Sequence, residues 1–128
     1  LKIRASDNIE MLRALSRDPL VIKETRIDTI YGLSNLMDRA LAAAPALSSR
    51  ALILYGKNDE VIPEIPVRRM IESLPAAGRQ QRRLAYYDDG FHMLLRDLQG
   101  ETVWRDIVAW IEDAEAPLPS GADVRFAP

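Results

Sequence analysis

Apolar positions recur along this chain with two different periods, and the switches between them outline its elements. Ile9, Leu12 and Leu15 fall at helical spacing, and Asp7 followed by Glu10 has the form of a capping box. Asp18-Pro19 breaks that pattern, because proline disfavours a helical residue before it. A second helix is predicted from about Asp28 to Ala44, with Ile30, Leu33, Met37, Ala40 and Leu41 on one face and Pro45 closing it. Ala51-Leu52-Ile53-Leu54-Tyr55 is a continuous apolar run bounded by turn residues, the pattern of a strand buried on both faces of a parallel sheet. Gly56-Lys57-Asn58-Asp59 makes a turn, and Pro63 and Pro66 frame the start of a helix whose stripe is Val67, Met70, Ile71 and Leu74. Pro75 and Gly78 end it. Leu84-Ala85-Tyr86-Tyr87 predicts a second strand, and Asp88-Asp89-Gly90 turns the chain into a loop with Phe91 and His92. A last helix near Glu101 to Asp113 aligns Val103, Trp104, Ile107, Val108 and Ile111. The segment from Pro117, rich in Pro, Gly and Ala, is expected to be loosely ordered.

Strand, helix, strand, helix in the middle of the chain implies an α/β fold with a parallel crossover. Neither an internal repeat nor a low-complexity segment is visible.

Composition narrows this picture only a little. The 128 residues, 48% apolar and 28% charged, suit one small globular domain. A net charge of −2 offers no field that would attract nucleic acid or anionic lipid. The basic cluster Arg79, Arg82 and Arg83 reads as a solvated loop entering a strand. The absence of cysteine excludes disulfides, zinc–thiolate sites and cysteine nucleophiles. No apolar run approaches the roughly 18 residues needed to span a bilayer, and no signal peptide is visible. A cytoplasmic location, in solution or peripheral to a membrane, is the expectation.

Functional residues in open α/β sheets collect beyond the carboxyl ends of the strands. Asp59 follows the first predicted strand and His92 follows the second. Neighbouring parallel strands would bring these loops together and allow a hydrogen bond between the two side chains. A carboxylate on one imidazole nitrogen fixes the tautomer and leaves the other nitrogen as a general base. Each residue alone also has a plain structural reading. Asp after Asn stabilises many turns, and a histidine among Phe91, Met93, Leu94 and Leu95 is often a packed loop residue. His92 is the only histidine in the chain, so any histidine-based mechanism must use it or borrow one from another chain.

The pair gains specificity from a resemblance over Ala51 to Asp113. Leu52 to Pro63 (LILYGKNDEVIP) has an apolar strand, Gly-x-x-Asp, an apolar pair and proline. Leu84 to Asp97 (LAYYDDGFHMLLRD) has a strand ending in aromatic residues, a turn, His-x-Leu-Leu and a polar or acidic pair. With the helix Val103 to Glu112, these blocks resemble the C-terminal part of α/β-hydrolases of the monoacylglycerol lipase and lysophospholipase type. The resemblance implies that Asp59 is the triad acid and His92 the triad base, with no cofactor and no metal. It implies that residues 1–27 end a helical cap, that 28–116 form the C-terminal part of the hydrolase core, and that 117–128 are a flexible tail. Small lipid or ester substrates are the expected ligands.

The nucleophile of that family sits in Gly-x-Ser-x-Gly at a strained strand-to-helix turn. This sequence has no such motif. Gly32-Leu33-Ser34-Asn35-Leu36 lacks the second glycine and falls inside a predicted helix. Ser6, Ser16, Ser48, Ser49, Ser73 and Ser120 have no supporting context. The expectation is therefore that an N-terminal half of the same protein carries the serine and the oxyanion hole, and that the 128-residue chain alone is inactive. The first strand's unpaired edge should then seek that half or a second copy of the chain. A peptidase, an acyltransferase, or a dehalogenase or epoxide hydrolase with an aspartate nucleophile would use the same acid and base. A non-catalytic dimerisation or partner-binding module derived from the fold is the alternative from another class.

Overall fold

A computed structural model describes residues 3–124. In chain order its elements are α1 (Ile9–Arg17), α2 (Ile27–Ala43), β1 (Ala51–Gly56), α3 (Glu64–Ser73), β2 (Arg82–Tyr87), α4 (Gly100–Glu112) and β3 (Asp123–Val124). β1 and β2 pair in parallel from Ala51 opposite Arg82 to Gly56 opposite Tyr87, with α3 in the crossover. The chain has the α/β fold that the alternation predicts.

The alternation of side chains along the strands divides the packing between two faces. Ala85 and Tyr87 of β2 meet Val103 of α4 and Leu118 in the core, and Leu52 and Leu54 of β1 pack against them. On the other face the Tyr55 and Tyr86 rings meet edge to face, their centres 5.7 Å apart. β1 differs from the expectation of a strand buried on both faces. Ala51 to Leu54 are only partly buried, and β1 is the edge of the three-stranded order β1-β2-β3 among the described residues.

The third strand lies outside the elements that the apolar pattern predicts. The segment after Pro117, expected to be loose, folds back onto β2. Leu118 is 3% exposed in the core, and Gly121, with φ of 71°, makes the turn that follows. Few residues other than glycine accept that conformation. Asp123 and Val124 then pair antiparallel with Ala85 and Leu84. Residues 125–128 of the expected tail lie outside the described residues.

The basic cluster also departs from its expected role. Arg82 is buried in β2, where its guanidinium donates to the carbonyls of Leu47 (2.7 Å), Ala77 (3.2 Å) and Pro75. Arg83 pairs with Asp123 at 3.3 Å and donates to the Ala116 and Glu115 carbonyls. These two arginines fasten to the sheet the loops that follow α2, α3 and α4, by saturating carbonyls those loops leave open.

The helices divide into two kinds. α4 turns Gly100, Val103 and Asp106 inward, while Trp104, Val108 and Ile111 of its predicted stripe are exposed. Ile107 of that stripe and Trp110 pack against the core, so the inward face runs through Val103, Asp106, Ile107 and Trp110, with Asp106 hydrogen-bonded within it. α1 and α2 bury no residue at all. The stripe of α2 has the predicted register, but Ile30, Leu33, Met37 and Leu41 are 55, 57, 49 and 37% exposed.

Candidate functional site

The loops beyond β1 and β2 touch through two glycines. A Cβ on Gly56 would stand 2.5 Å from the carbonyl carbon and oxygen of Gly90. No side chain fits there, so glycine is what allows the loops to close. Backbone bonds then lock them: Lys57 N–H donates to Tyr87 O at 3.0 Å, and Asn58 N–H to Gly90 O at 2.9 Å. Asn58 Nδ2 donates to Asp88 O at 3.0 Å, and Lys57 forms an ion pair with Asp88.

This closure brings Asp59 and His92 together. With its proton on Nδ1, His92 donates to Asp59 Oδ2 at 3.0 Å. The Asp59 side chain is 8% exposed and that of His92 is 36%. The second oxygen of Asp59 accepts the N–H groups of Val61 and Ile62, both at 2.8 Å. Tyr55 supports the same loop by donating its hydroxyl to Ile62 O at 3.0 Å. Bonds from two backbone N–H groups hold the orientation of a carboxylate. Asp59 therefore has one oxygen anchored to its own loop and one presented to the imidazole. Nε2 is the ring nitrogen that this contact leaves open.

Asp97 and Ser6 also meet at this site, and the sequence assigns neither of them a role. Asp97 is buried, accepting the hydroxyl of Ser6 at 2.5 Å and the N–H of Phe91 at 2.7 Å. The acidic residue after His-x-Leu-Leu belongs to the matched pattern, but nothing nearby in sequence shows what it holds. Asp7 also differs from its expected capping role. Asn8 caps α1 by accepting Met11 N–H at 3.1 Å, and Asp7 accepts Leu98 N–H at 2.8 Å instead.

No hydrogen bond joins His92 to a serine among the described residues. Ser34 is exposed in the middle of α2, and Ser6 is fully buried on Asp97. Ser16 and Ser73 donate back to carbonyls within their helices, and Ser120 binds Asp106. A cavity of about 490 Å³ opens beside the end of β2, bordered by Lys57, Gly90, Leu94, Gln99, Val103 and Ser120. Neither Asp59 nor His92 lines it. Among the described residues no cluster of His, Cys, Asp and Glu could hold a metal, and no helix is long and apolar enough to cross a membrane.

The family model described as serine aminopeptidase, S33, matches residues 1–99, a span that contains both strands, Asp59 and His92. The chain belongs to this α/β-hydrolase family. Its S33 match ends before α4, so the helix that buries Asp106 and the segment that pairs as β3 lie beyond the matched span.

Proposed function

We propose that Asp59 and His92 are the acid and base of a serine hydrolase triad acting on carboxylic esters of the monoacylglycerol or lysophospholipid class. The observation that carries this reading is the 3.0 Å contact between His92 Nδ1 and Asp59 Oδ2, with Asp59 anchored through its other oxygen. In the reaction a serine hydroxyl would give its proton to His92 Nε2 as its oxygen bonds to the acyl carbon. His92 would return that proton to the leaving alcohol as the ester bond breaks. It would then take a proton from water as the water oxygen bonds to the acyl carbon, and give that proton to the serine oxygen as the acyl–serine bond breaks and the acid leaves. Asp59 stays ionised throughout and stabilises the imidazolium.

The serine and the oxyanion hole are to be supplied by an N-terminal segment that this sequence does not contain. The unburied apolar stripe of α2 and the free edge of β1 support such a partner, since large apolar patches mark interaction surfaces. A fluorophosphonate probe tests the triad on the enzyme in which this sequence is joined to its Gly-x-Ser-x-Gly segment. Labelling is expected there and is expected to disappear in His92→Ala. Absence of labelling in the intact enzyme would favour a non-catalytic module instead. The 128-residue chain by itself should turn over no ester above background, and clear turnover would overturn the missing-serine account.

A second reading is favoured by the description of the matched family, serine aminopeptidase. With the same pair, His92 would then protonate an amine leaving group. Parallel assays with a monoacylglycerol and an aminoacyl amide separate the two.

A further inference from the structure

Bonds from the start of the described chain reach both loops of the Asp59–His92 pair. Arg4 N–H donates to Glu60 Oε2 at 2.8 Å, one residue beyond Asp59. The Arg4 guanidinium lies 4.8 Å from the centre of the Phe91 ring, within cation–π range. Ala5 O accepts Met93 N–H at 3.0 Å, so the residues on both sides of His92 are held from this segment. Asn8 Nδ2 donates to Arg96 O at 3.0 Å while its Oδ1 caps α1.

The centre of this arrangement is a single peptide plane. The carbonyl of Gly90 accepts Asn58 N–H at 2.9 Å, from the loop of Asp59. The N–H of Phe91, in the same plane, donates to Asp97 Oδ2 at 2.7 Å. Because the peptide is rigid, its two ends cannot turn independently. Asp97 thus fixes, through one plane, both the residue before His92 and the residue before Asp59. Asp97 is in turn fixed by Ser6, which is fully buried and donates at 2.5 Å.

We propose that residues 4–8 form a positioning strap, keyed by the buried Ser6–Asp97 hydrogen bond, that sets the geometry between His92 and Asp59. Ser6 and Asp97 act through the Gly90–Phe91 peptide and touch no reacting atom. The inference rests on the triad reading above, and its test separates the two.

His92 is the sole histidine, so its ring signals are assigned without ambiguity. Nuclear magnetic resonance of the 128-residue chain should show a hydrogen-bonded Nδ1 proton and ring nitrogens in the Nδ1-protonated tautomer, both lost in Asp59→Asn. Ser6→Ala should speed exchange of that proton by about tenfold, the factor that loss of one hydrogen bond of ordinary net strength gives. Asp97→Asn should shift the ring nitrogens toward mixed tautomers, with the amide signals of β1 and β2 unchanged. If Asp97→Asn does not fold, Ser6→Ala decides alone. Asp106→Asn is the control, a comparably buried carboxylate outside this strap, and should leave the His92 signals in place.

A wild-type spectrum with no Asp59-dependent signal would remove the triad reading itself. A wild-type signal that survives Ser6→Ala and Asp97→Asn unchanged overturns the strap and leaves the triad reading standing. Equal loss in Asp106→Asn also overturns it, because general loosening would then account for the effect.

Discussion

Asp97 and Asp106 are both buried carboxylates, and each takes a hydrogen bond from a serine far away in sequence, Ser6 in one case and Ser120 in the other. Their other partners set them apart. Asp97 holds Phe91 N–H, in the loop of His92. Asp106 holds the Tyr87 hydroxyl at 2.8 Å and Ser120 N–H at 3.0 Å, beside a core that contains Ala85, Val103 and Leu118. The same chemistry thus serves two ends. One carboxylate orients a polar loop, and the other pins the C-terminal segment over the apolar face of the sheet. The difference lies in which backbone each network reaches.

The largest effect that sharpens this contrast is expected at Asp106. Asp106→Ala leaves the buried Tyr87 hydroxyl without its acceptor and releases the Ser120 N–H and hydroxyl that hold the C-terminal segment, which costs about 3 kcal/mol. The urea midpoint should fall, and amides of residues 118–124 should exchange faster than those of residues 4–8. Equal exchange of the two segments would erase the distinction between the networks.

Gly56→Ala should cost about 2 kcal/mol, within the usual range for overpacking. Its Cβ would meet backbone atoms of Gly90 at 2.5 Å, and these can yield only by parting the two loops. Gly90→Ala should cost somewhat less: its 2.5 Å contact is with the end of the Leu94 side chain, and the less mobile Tyr87 Cβ and Gly56 Cα stand farther off, at 2.9 and 3.0 Å. The expected signature of Gly56→Ala is loss of the His92–Asp59 signal out of proportion to the loss of stability. A greater effect from Gly90→Ala would show that the loops close in another way.

The sequence makes some of this legible and hides the rest for physical reasons. The strands show because an apolar run bounded by turn residues has few other uses. Asp59 and His92 show because the strand ends fix where their loops begin. Asp97 and Asp106 do not, because a polar residue in or beside a helix reads as solvent-facing until its partner is known. Ser6 and Asp97 are 91 positions apart, beyond any local pattern. Arg82 and Arg83 are hidden likewise, since their acceptors are carbonyls of distant loops. Leu118 was lost among prolines and glycines, although one apolar side chain and one glycine turn suffice to fold the segment back.

Tyr87 provides the smallest effect and the finest test of the contrast. Burial first, and the hydrogen bond to Asp106 second, push its hydroxyl well above the ordinary tyrosine value. The folded state therefore keeps a proton that the unfolded chain gives up near pH 10. The stability this contributes is fully present below about pH 10 and is lost as the pH rises through the folded value. Tyr87→Phe should cost about 1 kcal/mol at neutral pH, the net worth of one hydrogen bond, and should flatten the decline above pH 10. Some slope should remain, because burial also raises Tyr55, whose hydroxyl supports the Asp59 loop. The two tyrosines thus report on the two regions separately. Alkaline unfolding followed at residues 118–124 should respond to Tyr87→Phe, and the His92 signal should not. A His92 signal that moves with Tyr87→Phe would mean that the two carboxylate networks are coupled through β2, and the division between them would fail.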